Sequence, residues 1–284
     1  MNALIEIKQH LLEFIQGWER LNDPSVMLDF HSFECRYNLQ MKILYNELDG
    51  CTLIDAPYIP KNVVNIYSST FIKLPNTLPQ SLKTLSIKIN LYQIPELPDS
   101  LEKLYVSGDG IREITIPRLP NSLSVLSIQF GTLDELFELP PRLETLICNH
   151  LNLRKLPDAL PKTLKVLNVE NNNIHEIPEL PETLEKLLAG NNSLEHLPHL
   201  PNNIITVDIS DNYLKQIPAL PPKLEALACR NNKIEELPAF IPSTLRYFMF
   251  YNNKFSTNPV PLLPDTVLEY IGGEYGNRII PDAS

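Results

Sequence analysis

The sequence predicts an α/β repeat: a right-handed solenoid with a concave parallel β-sheet, an extended convex side and an α-helical cap at its N-terminus. Three observations predict it. A Leu-Pro or Ile-Pro pair returns every 19–22 residues from Ile59-Pro60 to Leu263-Pro264. Between successive pairs the apolar residues hold fixed positions. Ahead of the first pair, apolar residues fall at helical spacing.

The unit from Pro161 to Leu180 is the clearest. Its apolar positions are Leu164, Leu167, Val169, Ile174 and Ile177, with Asn172 between the two groups and Pro178 near the end. The following units repeat it as Leu184, Leu187, Ala189, Asn192, Leu194, Leu197 and as Ile204, Val207, Ile209, Asn212, Leu214, Ile217. This L-x-x-L-x-L-x-x-N-x-L pattern is the leucine-rich-repeat signature. Leu167 and Val169 alternate with polar neighbours, which predicts a short strand with one buried face. No single unit buries its own apolar face, so neighbours must stack to complete the core.

Asn172, Asn192, Asn212, Asn232 and Asn253 recur where the chain leaves each strand. They are expected to point inward as a structural ladder, because backbone groups left unbonded there would each cost about 1–3 kcal/mol. In earlier units Asp109, Gly131 and Leu151 take this position, so the ladder is regular only from Asn172 onward.

Twenty-six prolines stand against nine glycines. Two prolines per unit, such as Pro178 and Pro181, fix φ and remove N–H donors, which excludes a helix from the return path and predicts extended segments there. Leu4, Ile7, Leu11, Phe14, Ile15 and Trp18 make one helical face. Asp23-Pro24 reads as the start of a second helix carrying Val26, Phe30, Phe33 and Tyr37. The expected organisation is a helical cap at 1–38, the repeat domain at 39–271 opening on a degenerate unit at 39–59, and a tail at 272–284 that begins as Val267 and Tyr270 give way to Gly272-Gly273.

The formal net charge of −10 disfavours nucleic acid and anionic lipid as partners. The basic residues expected on the concave face, Lys88, Lys103, Lys186 and Arg230, form no stripe. No apolar run is long enough for a membrane span, and the charged N-terminus is no Sec-type signal peptide. Cys35, Cys51, Cys148 and Cys229 lie far apart, without disulfide or zinc-site spacing.

No enzyme constellation emerges. Cys148 and Cys229 fall at inward strand positions. Cys148-Asn149-His150 points its thiol and its neighbour to opposite sides, and His196 with His199 lacks a third metal ligand. Gly108-Asp109-Gly110 reads as a turn. No cofactor and no metal are expected. The outward strand positions are more informative. Val125, Ile147, Val166 and Leu188 place apolar side chains where solvated ones would serve, and Arg230, Tyr247, Met249 and Tyr251 gather residue types enriched at binding hot spots. Ile147, Leu188, Arg230, Tyr247, Met249 and Tyr251 are the expected partner-binding residues.

The Leu-Pro-x-Leu-Pro units over 39–271, such as Ile177-Pro178-Glu179-Leu180-Pro181, resemble those of the bacterial leucine-rich-repeat effectors. That class includes YopM-like proteins and the IpaH-type ubiquitin ligases. The resemblance implies a protein passed by a specialised secretion system into the cytoplasm of a host cell, where the repeats bind a host protein. In the ligase branch a separate C-terminal domain carries a Cys-x-Asp motif. No cysteine here matches it, so a ligase reading would make this chain the substrate-recognition part alone. Self-association of the repeats is a further alternative.

Overall fold

The computed structural model describes residues 59–255, save positions 60, 62, 90–93, 112, 134–135 and 137, together with strands at 27–29, 46–48, 51–55, 269–272 and 277–279. It divides into two compact units, residues 1–131 and 132–284.

In the first unit the strands are β1 (Met27–Asp29), β2 (Asn46–Leu48), β3 (Cys51–Asp55), β4 (Asn65–Lys73), β5 (Thr84–Lys88), β6 (Lys103–Ser107) and β7 (Val125–Gln129). β3 through β7 run parallel, each beside the next. In the second unit they are β8 (Thr145–Asn149), β9 (Val166–Asn168), β10 (Lys186–Leu188), β11 (Thr206–Asp208), β12 (Ala226–Ala228), β13 (Tyr247–Met249), β14 (Glu269–Gly272) and β15 (Asn277–Ile279). β8 through β14 are again parallel neighbours.

The register follows the repeat. Leu146, Leu167, Leu187, Val207, Leu227 and Phe248 pair across successive strands of the second unit, and none is more than 1% exposed. Ile66, Leu85, Leu104 and Leu126 form the same buried row in the first. A parallel sheet needs a long crossover between strands; here proline-rich segments supply it, and no helix occurs in them among the described residues. Each unit then re-enters its strand through one turn. The Pro161 carbonyl accepts the N–H of Leu164 at 3.0 Å, and the Pro181 carbonyl that of Leu184 at 2.9 Å.

Three expectations about the ends need correction. Met27–Asp29 is a strand, not part of a second helix, and pairs in parallel with Asn65–Tyr67. The open N–H and C=O groups along β4 outweigh a local helical spacing once a strand reaches them. The other residues of the two expected cap helices lie outside the described residues. Within 39–59, β2 and β3 form an antiparallel hairpin rather than a degenerate repeat. They are joined by Asp49-Gly50, the dipeptide favoured in two-residue hairpins. At the other end the expected tail contains β15, antiparallel to β14. Each compact unit therefore carries an antiparallel hairpin at the chain-terminal end of its parallel strands.

Candidate functional site: the open face of the sheet

The site is framed by three ladders of side chains that bind backbone. The innermost is the asparagine ladder. Asn212 Oδ1 accepts the Leu194 N–H at 3.0 Å, while its Nδ2 donates to the carbonyls of Ala189, Ile209 and Ser210. Asn192, Asn232 and Asn253 repeat the pattern on Ile174, Leu214 and Ile234. Asn172 takes two N–H groups, of Leu151 and Leu153. Asn172, Asn192, Asn212 and Asn232 are 6–8% exposed.

A second ladder stands one residue earlier. Asn171, Asn191, Asp211, Asn231 and Asn252 all adopt positive φ, between 53° and 57°. Asparagine and aspartate tolerate this left-handed conformation better than other side-chain-bearing residues. Their side chains also join. Asn191 donates to Asn171 at 2.7 Å, Asn231 to Asp211 at 2.6 Å, and Asn252 to Asn231 at 2.7 Å. Earlier, Phe130 and His150 hold the same conformation without an amide or carboxylate. The signal for this ladder was the Asn-Asn or Asp-Asn doublet in each unit.

The third ladder lies where the chain enters the strands. Thr183 Oγ1 donates to the carbonyls of Lys162 and Leu164, both at 2.8 Å. Thr163 and Thr244 do the same in the second unit, and Ser81 and Ser122 in the first, where Ser100 donates to the Leu82 carbonyl at 2.7 Å. A Ser or Thr two residues after the unit proline is its sequence signal.

With both strand ends fixed, the face opposite the core is presented as rows. The second unit has Val166, Lys186, Thr206, Ala226 and Tyr247 in one row, and Asn168, Leu188, Asp208, Ala228 and Met249 in the next. A third row, Glu170, Gly190, Ser210, Arg230 and Tyr251, follows from hydrogen bonds that continue past the strands, such as Asn191 N–H to the Ser210 carbonyl at 2.9 Å. Tyr247 is exposed, while Ile147, Leu188, Met249 and Tyr251 are half-buried on this face. Arg230 is held: its Nη2 lies 3.1 Å from Asp211 Oδ2 and its guanidinium 5.9 Å from the Tyr251 ring centre. Arg230 and Tyr251 thus form one cluster, with Tyr247 and Met249 on the adjoining strand. Ile147 lies on β8, several strands away from that cluster.

Cys148 and Cys229 are wholly buried. Burial pushes both thiols above their ordinary range, and the nearby Asp208 carboxylate adds to this at Cys229. A thiolate nucleophile needs the opposite setting. Among the described residues no three His, Cys, Asp or Glu side chains gather in a metal-binding group, and no helix is long and apolar enough to cross a membrane. Gly108 has a structural role. A Cβ there would lie 2.1 Å from the Phe130 carbonyl oxygen, and the Gly108 N–H donates to Gln129 at 2.8 Å.

Residues 163–187 match the family model described as Leucine Rich Repeat. The fold is the leucine-rich-repeat fold. This repeat chain is 28% identical to epiphycan from Gallus gallus over 148 residues, which make up 52% of the chain and 40% of epiphycan. It therefore spans less than half the length of that relative. Among solved structures it is similar to YopM from Yersinia enterocolitica WA-314, with TM-score 0.51 and 30% identity over 76% of this chain and 62% of that one. It is also similar to YopM from Yersinia pestis, a leucine-rich effector protein, with TM-score 0.50 and 25% identity over 77% and 79%.

Proposed function

We propose that this chain is a protein-interaction module that binds its partner on the open face of the sheet and has no catalytic activity of its own. The observation that carries the reading is the composition of that face. Leu188, Ala226, Ala228, Tyr247 and Met249 put apolar surface where solvent alone would favour charge, and an exposed apolar patch on a polar rim is the mark of a protein interface. Tyr247, Met249 and Tyr251 are the anchors, with Arg230 alongside and Ile147 and Leu188 extending the surface. The three ladders make the backbone beneath them rigid, so binding costs little ordering entropy.

The likeness to the two YopM structures supports an effector delivered by a bacterium into a host cell, with a host protein as the partner. Affinity capture from eukaryotic lysate, run in parallel with wild type and a Tyr247→Ser, Met249→Ser, Tyr251→Ser variant, tests the site. The expected result is a host protein retained by wild type and lost by the variant, which still melts cooperatively. Full retention by a folded variant overturns the anchors.

A further inference from the structure

On the same face, two strands away from Arg230 of the Arg230–Tyr251 cluster, the sheet carries a polar recess. Gly190 has no side chain, and the three atoms nearest its absent Cβ are Asp208 Oδ1 at 3.4 Å, the Ser210 carbonyl oxygen at 3.5 Å and Asp208 Cγ at 3.8 Å. The third row places Gly190 between Glu170 and Ser210, with adjacent strands about 4.8 Å apart. The Asp208 carboxylate thus borders it, and Glu170 stands beside it in the row. Asp208 accepts the Ser210 N–H at 2.9 Å and, like Glu170, forms no ion pair among the described residues. Arg230, the closest cation in the row, is committed to Asp211.

An independent observation marks the spot. Ser210 is 1% exposed, and its hydroxyl Oγ has no hydrogen-bond partner among the described residues. A buried hydroxyl is normally bonded, so a group from outside the chain would complete it. The nearest groups are oxygen acceptors, one of them a carboxylate, and fewer than three metal-ligating side chains gather there. A long, flexible cation with several N–H donors suits it better than a compact metal ion.

We propose that the Gly190 recess receives a basic side chain, arginine or lysine, projecting from the protein partner, with Asp208 and Glu170 as counter-charges and Ser210 Oγ as an added acceptor. The inference rests on the protein-binding reading and names the partner's chemistry. Arginine matches the site more fully, since its fork of donors spans neighbouring acceptors. The net charge of −10 favours a basic segment approaching this face.

The test is a titration of the full ¹⁵N-labelled chain with N-acetyl-arginine amide, followed by amide resonances. Saturable shifts at Gly190 and Ser210 are expected, with no response to the uncharged N-acetyl-citrulline amide. Asp208→Asn should weaken the response about tenfold or more. Gly190→Leu, at a position without strained φ, should abolish it at unchanged melting temperature. An equal response to citrulline amide, an unchanged response in Asp208→Asn, or the same shifts from calcium chloride at lower concentration would each overturn the proposal. The Tyr247→Ser, Met249→Ser, Tyr251→Ser variant should keep the arginine response. If it does so yet also keeps the captured host protein, the anchors fail and the recess stands. If wild type shows no arginine response while the host protein still depends on the tyrosines, the recess alone fails.

Discussion

The side-chain amide of Asn172 donates to the carbonyl of Cys148, 24 residues earlier, at 2.6 Å. The same nitrogen also meets the Val169 and Glu170 carbonyls of its own unit. One side chain thus ties two successive units together at the point where both leave the sheet.

Asn212→Ala is therefore expected to leave the buried Leu194 N–H without its acceptor and to destabilise the second unit by about 1–3 kcal/mol. Urea unfolding checks this; the midpoint should fall. A change below about 0.5 kcal/mol would mean that water replaces the amide and that the ladder is not structurally required.

Asn231 tests the left-handed ladder. Asn231→Gly keeps the backbone conformation and loses only the bonds to Asp211 and Asn252, whereas Asn231→Val loses both bonds and conformation. Valine should cost about 1–2 kcal/mol more than glycine, the penalty for a side chain in this region. Equal melting temperatures for the two variants would contradict the assignment.

Thr183→Val preserves shape and deletes the hydroxyl that bonds the Lys162 and Leu164 carbonyls. Because Thr183 itself is exposed, water compensates in part and the expected loss is about 0.5–1.5 kcal/mol. Differential scanning calorimetry of Thr183→Val beside Thr183→Ser separates the hydroxyl from the methyl.

The buried thiols set an alkaline limit. Cys148 and Cys229 titrate higher in the folded chain than the ordinary thiol value of 9.0. Below that value both folded and unfolded thiols hold their protons, and stability is unaffected. Above it the unfolded chain ionises first, so each thiol reduces stability by about 1.4 kcal/mol per pH unit. Stability measured from pH 8 to pH 10.5 should decline, and the decline should shrink in a Cys148→Ala, Cys229→Ala variant. In a Cys35→Ser, Cys51→Ser background, a thiol reagent at pH 8 should label neither cysteine until the chain unfolds.

The parts of the fold written into the 20-residue period were readable from the chain, because inward leucines and the asparagine ladder must recur wherever the same backbone geometry recurs. Leu167, Leu187 and Val207 sit in register for that reason. The open face was readable by the same alternation, which places Tyr247, Met249 and Tyr251 away from the core. The serine–threonine ladder and the left-handed residues carried equally periodic signals that an eye fixed on leucine passes over. The ends were different. β1 pairs with residues 38 positions later, and a contact at that separation overrides the local spacing of Val26, Phe30 and Phe33. The orphan hydroxyl of Ser210 was also beyond reach, since its lack of a partner depends on three strands packed side by side.

Every bond made by the Asn212 side chain ends on a peptide group. Peptide groups are the same whichever amino acids flank them, so this part of the joint does not read its neighbour's identity. A unit behaves as an interchangeable cassette. Duplication of a 20-residue segment by unequal recombination would insert a new strand that carries its own asparagines for both ladders, lengthening the binding face by about 4.8 Å at each event. Selection is then free to rewrite the outward residues of each copy, and a surface for a new partner is reached by copying rather than by redesign.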